Sequence, residues 1–357
     1  MKIGFLFKSY EKNMTGINAL AYNSVKELLN KYPEHEYFSI AENYLNIQLK
    51  NIRYNSITLN NVAALHVIGA VEKIDVIHSF YNPISSDMPV KKKILTINDI
   101  APLTHPEWFY ESTKLFFQNQ IYSSACSADA IVAISEYTKK EIVDYYHIDK
   151  NKIFVVYPGF NPSIDLNTFD NKILEKYHLC NVNYVLSVCT LEPRKNLRGI
   201  IQAFINYKQK SKSEIKLVLC GQIGWDDTFF DFINGIHAYK QDIIMLGYVS
   251  NKDLGLLYKY AMAFVYTSFY EGFGLPILEA LTAGKAVITS DTTSMPEVGG
   301  DAVCYCNPYD VDSIMHALEK VIEDNEYRSQ LEKKSVIQAK KFSYSITAEK
   351  LIDLYQK

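Results

Sequence analysis

Short apolar runs alternate along this chain with stretches in which apolar residues recur every three or four positions. The first pattern predicts buried parallel strands, and the second predicts amphipathic helices. In the first part of the chain, the predicted strands lie near 2–7, 37–40, 74–78, 93–97, 130–134 and 153–156, and the helices near 16–31, 111–126 and 136–146. Further along, strands are predicted near 184–188, 215–220, 242–246, 262–266, 286–290 and 302–305, and helices near 313–324 and 344–356.

This alternation indicates an α/β protein with two doubly wound parallel sheets. The segment 157–162, Tyr-Pro-Gly-Phe-Asn-Pro, reads as a linker and puts a domain boundary near residue 160. With 357 residues and 48% hydrophobic content, the chain can bury two cores. Ligands of such sheets bind at the carboxyl ends of the strands, so two of these domains face to face would form a cleft.

One segment in the second half carries two carboxylates, Glu271 and Glu279, around a glycine-rich turn. Pro276 suits the first position of a helix, which places Glu279 about one turn inside it. Glu271 precedes the helix, where the amides of Gly272, Phe273 and Gly274 lack helical partners and can point at an oxygen-rich ligand. The alternative is an ordinary strand-turn-helix connection with a solvated Glu279.

A second candidate site follows the predicted strand 184–188. The loop Glu192-Pro193-Arg194-Lys195-Asn196 leads into a helical pattern. Two cations and a helix N-terminus would converge there on one anion, and a diphosphate suits that arrangement best. An exposed, solvated basic pair is the alternative.

Taken together, these two motifs resemble those of the retaining glycosyltransferases of family 4, which have the GT-B fold. The Glu271/Glu279 pair matches the E-x7-E signature of that family, and the loop 192–196 matches its phosphate-binding loop. The E-P-R-K-N form of the loop is most similar to that of bacterial mannosyltransferases that build surface polysaccharides. The resemblance implies an acceptor-binding Rossmann-like domain at 1–160, completed by the C-terminal helix 344–357, and a donor-binding Rossmann-like domain at 161–343.

The resemblance also implies roles around a nucleotide-sugar donor. Glu271 would contact hydroxyls of the transferred sugar, and Glu279 would hold the ribose. The donor is further expected to meet the backbone amides of Gly272, Phe273, Gly274 and Leu275. Arg194 and Lys195 would neutralise the diphosphate and stabilise the leaving group. In this family the acceptor attacks from the side that the nucleotide leaves, so no enzyme nucleophile is required. GDP-mannose is the first expectation for the donor, with UDP- or dTDP-sugars next, and a glycan or lipid-linked oligosaccharide for the acceptor.

Further residues are predicted to line the donor site. Gly221 ends one strand, and Tyr248 and Val249 follow another, where backbone groups and the tyrosine ring can meet the nucleotide base. A turn glycine and a core tyrosine explain these positions equally well.

The acceptor side is expected in the first domain. Gly16 matches the glycine loop of the family, although Thr15 stands where the family usually has a second glycine. His78 ends a predicted strand and is either an acceptor contact or a core histidine. Asn98 occupies the position of the family's histidine, and the adjacent Asp99 is available to orient an acceptor hydroxyl.

Charge and composition exclude some partners. A formal charge of -3 argues against nucleic acid. Asp310 and Asp312 resemble a D-x-D metal site but precede a helical pattern, so capping is the interpretation and neither a metal nor another cofactor is expected. The six cysteines lack metal-site spacing and are expected to be reduced, buried thiols. No signal peptide or membrane-spanning run is apparent, which predicts a cytoplasmic protein. The lysines at 91–93 read either as a contact with the inner face of an anionic membrane or as a solvated strand edge.

Competing functions differ in how well the sequence supports them. No strand is followed by the G-x-G-x-x-G of a nicotinamide dehydrogenase. A P-loop at Gly284-Lys285 fails because Glu279 and Ala286 replace the required glycine and hydroxyl residue. A GT-B sugar-nucleotide epimerase or phosphorylase remains an alternative. So does a nucleotide-sugar-binding partner that activates another glycosyltransferase, for which Asn98 is the motivating departure.

Overall fold

The computed structural model describes residues 1–7, 16–41, 54–58, 73–167, 172–226 and 228–357. The chain forms two compact units. Unit 1 comprises Met1–Gly159 and Phe342–Lys357, and unit 2 comprises Phe160–Lys341. These borders lie beside the predicted domain boundaries, and the chain enters and leaves unit 2 once.

Unit 1 contains a parallel sheet of seven described strands in the order β3-β2-β1-β4-β5-β6-β7. The strands are β1 Lys2–Phe7, β2 Glu36–Ala41, β3 Tyr54–Thr58, β4 Val76–Ser79, β5 Lys92–Ile97, β6 Ala130–Ala133 and β7 Ile153–Val155. The helices before residue 160 are α1 Gly16–Lys31, α2 Ala101–Thr104, α3 Glu111–Phe116, α4 Tyr122–Ser127 and α5 Glu136–Tyr146. Short 3₁₀ turns occupy Pro106–Trp108 and Lys150–Lys152.

Unit 2 contains a parallel sheet of six described strands in the order β10-β9-β8-β11-β12-β13. The strands are β8 Tyr184–Val188, β9 Lys216–Cys220, β10 Ile243–Gly247, β11 Ala263–Tyr266, β12 Ala286–Ser290 and β13 Val303–Cys306. The helices are α6 Lys172–Lys176, α7 Leu197–Ser211, α8 Phe229–Gly235, α9 Asn251–Tyr260, α10 Leu275–Thr282, α11 Met295–Gly299, α12 Val311–Glu323 and α13 Asn325–Ala339. Two 3₁₀ turns occupy Pro193–Lys195 and His237–Tyr239.

Apolar side chains of the unit 2 strands pack against the adjacent helices. Val185, Leu217, Val265 and Ile288 are fully buried in one core cluster with Phe204 of α7. These strands are buried on both faces, which is why they read as continuous apolar runs in the sequence.

The C-terminal helix, α14 Tyr344–Gln356, belongs to unit 1. Thr347 donates a hydrogen bond to the Tyr157 carbonyl at 2.7 Å, and Lys92 donates to the Leu354 carbonyl at 2.7 Å. Unit 1 is therefore built from two stretches of sequence that are separated by the whole of unit 2.

In each sheet, the side on which consecutive strands are added changes at one place. In unit 2, β9 and β10 extend the sheet on one side of β8, whereas β11 pairs with β8 on the other side. In unit 1 the corresponding reversal lies between β1 and β4. Doubly wound sheets bind ligands at such switch points, so we expect a binding site of unit 2 at the loops after β8 and β11.

Several features differ from the sequence-based expectations, among them the helices α2, α6, α8, α9 and α11, for which no bounds were predicted. β3 and α13 were not predicted, and the predicted helix 111–126 contains a π-helical segment at Phe117–Ile121.

The Asp310 side chain accepts a hydrogen bond from the Asp312 amide at 3.0 Å and caps α12, as predicted. None of the helices in the described ranges has the length and apolar character needed to cross a membrane.

Candidate functional site

The loop after β8 holds Arg194 and Lys195 in a 3₁₀ turn. Asn196 follows this turn in a left-handed conformation with φ of 55° and immediately precedes α7. The Asn196 amide nitrogen donates to the carbonyls of Thr267 at 3.1 Å and Pro308 at 2.8 Å. The basic loop is thereby fixed to the loops that follow β11 and β13.

The loop after β11 holds Glu271 by its backbone. The Glu271 amide donates to the Thr293 hydroxyl at 3.2 Å, and the Ser294 hydroxyl donates to the Glu271 carbonyl at 2.8 Å. Gly274, with φ of 104°, precedes α10, which begins at Leu275. Pro276 is thus the second helical residue, one position later than predicted.

Arg194, Lys195 and Glu271 meet at the switch point between β8 and β11. Arg194 donates from Nη1 to Glu271 Oε2 at 3.0 Å, and Lys195 donates from Nζ to Glu271 Oε1 at 2.7 Å. Tyr266 donates its hydroxyl to Glu271 Oε1 at 2.7 Å and accepts from Lys195 at 2.9 Å. Glu192 accepts from Arg194 Nε at 2.8 Å. We call Glu192, Arg194, Lys195, Tyr266 and Glu271 the ionic cluster.

Most of the ionic cluster is buried, whereas the Arg194 side chain is 17% exposed. Glu271 is 7% exposed and Lys195 8%. Burial alone would favour a protonated Glu271, but the charges of Lys195 and Arg194 outweigh it and lower the pKa of Glu271 to about 2. Glu271 is therefore an ionised acceptor throughout the physiological pH range.

Glu279 lies in α10 in a different electrostatic setting. It is half-buried, and its Oε2 accepts a hydrogen bond from the Tyr258 hydroxyl at 2.8 Å. No described cation lies within ion-pair distance of it. Burial raises the pKa of Glu279 to about 7, and the hydrogen bond from Tyr258 opposes this rise. A ligand hydroxyl that donates to this carboxylate would offset the free-energy cost of burying its charge.

The remaining predicted donor-site residues lie in unit 2 as well. Gly221 has φ of 149°, and a Cβ there would lie 1.7 Å from the Cys189 carbonyl oxygen, so packing of the loop already accounts for this glycine. Tyr248 is 44% exposed and available to a base, whereas Val249 is 7% exposed. Phe273 is buried, so only its backbone could meet a ligand.

The predicted acceptor-side residues lie in unit 1. His78 is fully buried, with Nδ1 2.6 Å from the Tyr355 hydroxyl and Nε2 2.7 Å from the Thr96 hydroxyl. Burial lowers its pKa to about 3, so it is neutral. Of the two interpretations of His78, the structure favours the core histidine.

Other acceptor-side positions are placed near strand ends. Gly16 begins α1 with φ of 55°, while Thr15 lies outside the described residues. The Asn98 amide donates to the Phe80 carbonyl at 3.1 Å, and Asp99 accepts from the Ala101 amide at 3.1 Å. Both side chains are partly buried and follow β5 directly.

The lysines at 91–93 all have partners within unit 1. Lys91 pairs with Asp75 at 2.7 Å, Lys92 donates to the Leu354 carbonyl, and Lys93 donates to the Ser86 carbonyl. β5 is an interior strand between β4 and β6, so these lysines lie at its amino end and not at a sheet edge. The Lys91 side chain is still 82% exposed.

The cysteines are all free thiols. Cys220, Cys304 and Cys306 are buried, whereas Cys126 and Cys180 are exposed, so the expectation of buried thiols holds for only part of the set. Cys189 is partly buried beside the ionic cluster, and burial raises its pKa to about 12, which keeps it protonated. Within the described ranges, no group of three or more His, Cys, Asp or Glu residues could hold a metal ion.

Sequence reasoning missed Tyr266, Thr293 and Ser294, which position Glu271. Tyr266 ends the apolar run of β11, and its hydroxyl is the one polar side-chain group of that strand, which is the signal that could have identified it. Thr293 and Ser294 follow β12 and carry no spacing signal, because their proximity to Glu271 arises only from strand order.

Comparisons with known proteins cover both units. Residues 32–164 match the family model described as Glycosyltransferase Family 4, and residues 171–336 match the one described as Glycosyl transferases group 1. The chain is 33% identical over 274 residues to the O-antigen chain mannosyltransferase B of Escherichia coli, covering 75% of this chain and 71% of that protein. It is 27% identical over 283 residues to the serotype-specific mannosyltransferase WbdA of Escherichia coli, covering 77% of this chain but only 34% of WbdA. This chain thus spans about a third of WbdA.

Solved structures resemble the chain over nearly its full length. A glycosyltransferase from Rickettsia africae is similar with a TM-score of 0.77 at 16% identity, covering 99% of this chain and 97% of that one. HepE from Anabaena, in complex with UDP-glucose, is similar with a TM-score of 0.76 at 17% identity, covering 100% and 99%.

Proposed function

The chain belongs to glycosyltransferase family 4 and has the GT-B fold, and we propose that it is a metal-independent, retaining hexosyltransferase of surface polysaccharide synthesis. It would transfer a hexose from a nucleotide-sugar to a glycan or lipid-linked acceptor. Mannose from GDP-mannose is the first candidate, since the O-antigen chain mannosyltransferase B is the relative quoted above at 33% identity.

The convergence of Arg194, Lys195 and Glu271 at the switch point of unit 2 carries this proposal. A diphosphate needs cations, and a sugar needs hydrogen-bond acceptors for its hydroxyls. The ionic cluster offers both within one set of contacts of 2.7 to 3.0 Å. Glu279 on α10 adds a second acceptor that suits the ribose.

The chemistry of leaving-group departure supports the absence of a metal requirement. Arg194 and Lys195 can neutralise charge that develops on the diphosphate as the glycosidic bond breaks, which is the task a divalent cation performs in other transferases. Glu192 and Glu271 hold both side chains in place before the donor arrives.

The state of Glu271 supports a mechanism without an enzyme nucleophile. Both of its oxygens are occupied, one by Arg194 and the other by Lys195 and Tyr266. Its low pKa and these three donors make it a poor nucleophile and a good acceptor for sugar hydroxyls. Retention would then follow from attack by the acceptor hydroxyl on the face that the diphosphate leaves.

On the acceptor side, Asp99 is the candidate to orient the attacking hydroxyl, and Asn98 would act through its amide in place of a histidine. Both follow β5, at the carboxyl edge of the unit 1 sheet. Gly16 begins α1, the helix that follows β1 in the chain.

The test is calorimetric titration of the purified protein with GDP-mannose, UDP-glucose, UDP-N-acetylglucosamine and dTDP-rhamnose, with EDTA present. Selective binding of one sugar nucleotide supports the proposal and identifies the donor. Failure to bind any of them contradicts it. Transfer to an acceptor by the purified chain alone would exclude an activating partner, and the anomeric configuration of the product, read by NMR, decides between retention and inversion.

A further inference from the structure

Tyr266 takes part in the ionic cluster although it carries no charge and belongs to a buried strand. It is 2% exposed, and its ring stacks on Phe264 with centroids 6.1 Å apart. Its backbone carbonyl accepts from the Thr289 hydroxyl at 2.8 Å, which fixes the residue within the sheet. The hydroxyl is thus held by the core and cannot follow a ligand.

The two cations that neutralise Glu271 are also the groups that would bind the donor diphosphate. A diphosphate that draws Arg194 and Lys195 toward its own oxygens weakens their bonds to Glu271. A buried carboxylate that loses its cations is costly unless other donors replace them. Sugar hydroxyls can replace the bonds that are lost at Glu271, but only if the carboxylate stays in place while the exchange occurs.

We propose that Tyr266 is the positioning residue that holds Glu271 in place during this exchange. Its hydroxyl donates to Glu271 Oε1 at 2.7 Å. Among the contacts described above, three side chains donate to this carboxylate, and Tyr266 is the one for which a diphosphate does not compete. The inference rests on the proposed function, because it requires a nucleotide-sugar at the ionic cluster.

This role predicts a specific division of binding energy. The nucleoside diphosphate contacts Arg194 and Lys195, whereas the sugar depends on a correctly placed Glu271. In Tyr266→Phe, Lys195 loses Tyr266 as an acceptor but is still held by Glu271 until the diphosphate binds. Loss of the hydroxyl should therefore weaken recognition of the sugar and leave recognition of the diphosphate nearly unchanged. A purely structural role would affect both ligands equally.

The experiment measures dissociation constants by calorimetry for the wild-type protein, Tyr266→Phe and Tyr184→Phe. The ligands are whichever of the four sugar nucleotides the wild-type protein binds, and its matching nucleoside diphosphate, GDP, UDP or dTDP. Tyr184→Phe is the matched control, since that hydroxyl is also buried and donates one 2.8 Å bond, to the Leu257 carbonyl, at the opposite end of the same sheet.

Tyr266→Phe is expected to bind the sugar nucleotide about tenfold more weakly or worse, as for loss of one hydrogen bond to a charged group, with nucleoside diphosphate affinity within about twofold of wild type. Tyr184→Phe should match the wild type with both ligands. Equal weakening of both ligands in Tyr266→Phe, or no weakening of either, overturns the inference. If the wild-type protein binds no sugar nucleotide, the proposed function fails, and this inference fails with it.

Discussion

Glu271 is a carboxylate whose negative charge is compensated before any ligand binds. Arg194 and Lys195 each donate to one of its oxygens, and together they outweigh the cost of burial and keep its pKa near 2. The same residue would be a destabilising buried charge without them. A substitution that keeps its shape and removes its charge therefore separates its chemical role from its packing.

Glu271→Gln is expected to lower kcat/KM for sugar transfer by at least about a hundredfold, because a neutral amide is a weaker acceptor for sugar hydroxyls and no longer pairs with the charges of Arg194 and Lys195. Steady-state kinetics with the identified donor provides the measurement. Asp242→Asn is the control, since Asp242 also pairs with two lysines, Lys216 at 2.5 Å and Lys208 at 3.4 Å, just before β10. Turnover near the wild-type value in Glu271→Gln would refute its assignment to the site.

The raised pKa of Glu279 predicts how the stability of the protein depends on pH. Its pKa is about 7 in the folded protein against an ordinary value of 4.5, so the folded state holds this proton more tightly than the unfolded state. The free energy of unfolding should fall as pH rises from 4.5 through 7, and the destabilisation should be complete above pH 7.

Glu279→Gln removes this ionisation and should raise the melting temperature relative to wild type at pH 8, with the difference shrinking toward zero at pH 5. Differential scanning calorimetry at the two pH values is the measurement. Glu175→Gln, at an exposed position in α6, makes the same charge change without burial. An equal shift in both variants would show that burial of Glu279 is not the cause.

How far the site could be predicted depends on where each residue lies in the sequence. Arg194, Lys195, Glu271 and Glu279 stand in loops or first helical turns after apolar strands, and that position is visible in the pattern. Tyr266 lies only five residues before Glu271, and the pairing of β11 with β8 brings both of them to Lys195. Thr293 approaches Glu271 because β12 pairs with β11. Strand neighbours that are distant in sequence leave no local signal.

At the scale of elements, glycines determine how closely the loops after β8 and β9 approach. Gly221 donates its amide to the Gly247 carbonyl at 2.8 Å and leaves no space for a side chain beside Cys189. The loop after β8 therefore depends on a residue in the next strand connection for its position, and that loop carries the cations.

Gly221→Ala should lower the free energy of unfolding by at least about 2 kcal/mol, through backbone strain at φ of 149° and the clash with the Cys189 carbonyl. Chemical denaturation measures the loss. Gly235→Ala is the control because a Cβ there meets no heavy atom within 4 Å. If Gly221→Ala were no less stable than Gly235→Ala, the packing described for this loop would be wrong.

The elements that the sequence predicted are those with strong apolar patterns. β1, β8 and β12 have the predicted bounds. β3 was missed because its sequence, Tyr-Asn-Ser-Ile-Thr, lacks an apolar run. The π-helical turns at Phe117–Ile121 were missed because one residue more per turn barely changes helical periodicity over so short a segment.

At the scale of the whole molecule, the candidate donor site belongs entirely to unit 2. All residues of the ionic cluster, together with Glu279 and Tyr258, lie within Phe160–Lys341. Unit 2 also has its own buried core. Binding of the donor should therefore be separable from transfer of its sugar by producing unit 2 alone.

A fragment comprising residues 160–341 is expected to fold with one cooperative transition and to bind the donor without transferring its sugar. Circular dichroism melting and calorimetry would measure the two properties. The fragment 1–159 should fail to fold, because it lacks α14, whose Tyr355 hydroxyl contacts His78 and whose Thr347 bonds Tyr157. An unfolded 160–341 fragment would show that unit 2 depends on unit 1.

The placement of α14 has a consequence for the order of assembly on the ribosome. Domains usually fold in the order in which they are synthesised. Here residues 342–357 emerge after all of unit 2, so the unit whose synthesis starts first can be completed only after the other has left the exit tunnel. During that interval the surface of unit 1 that α14 later covers stays open, and this nascent form, rather than the finished enzyme, is the one that a chaperone would meet.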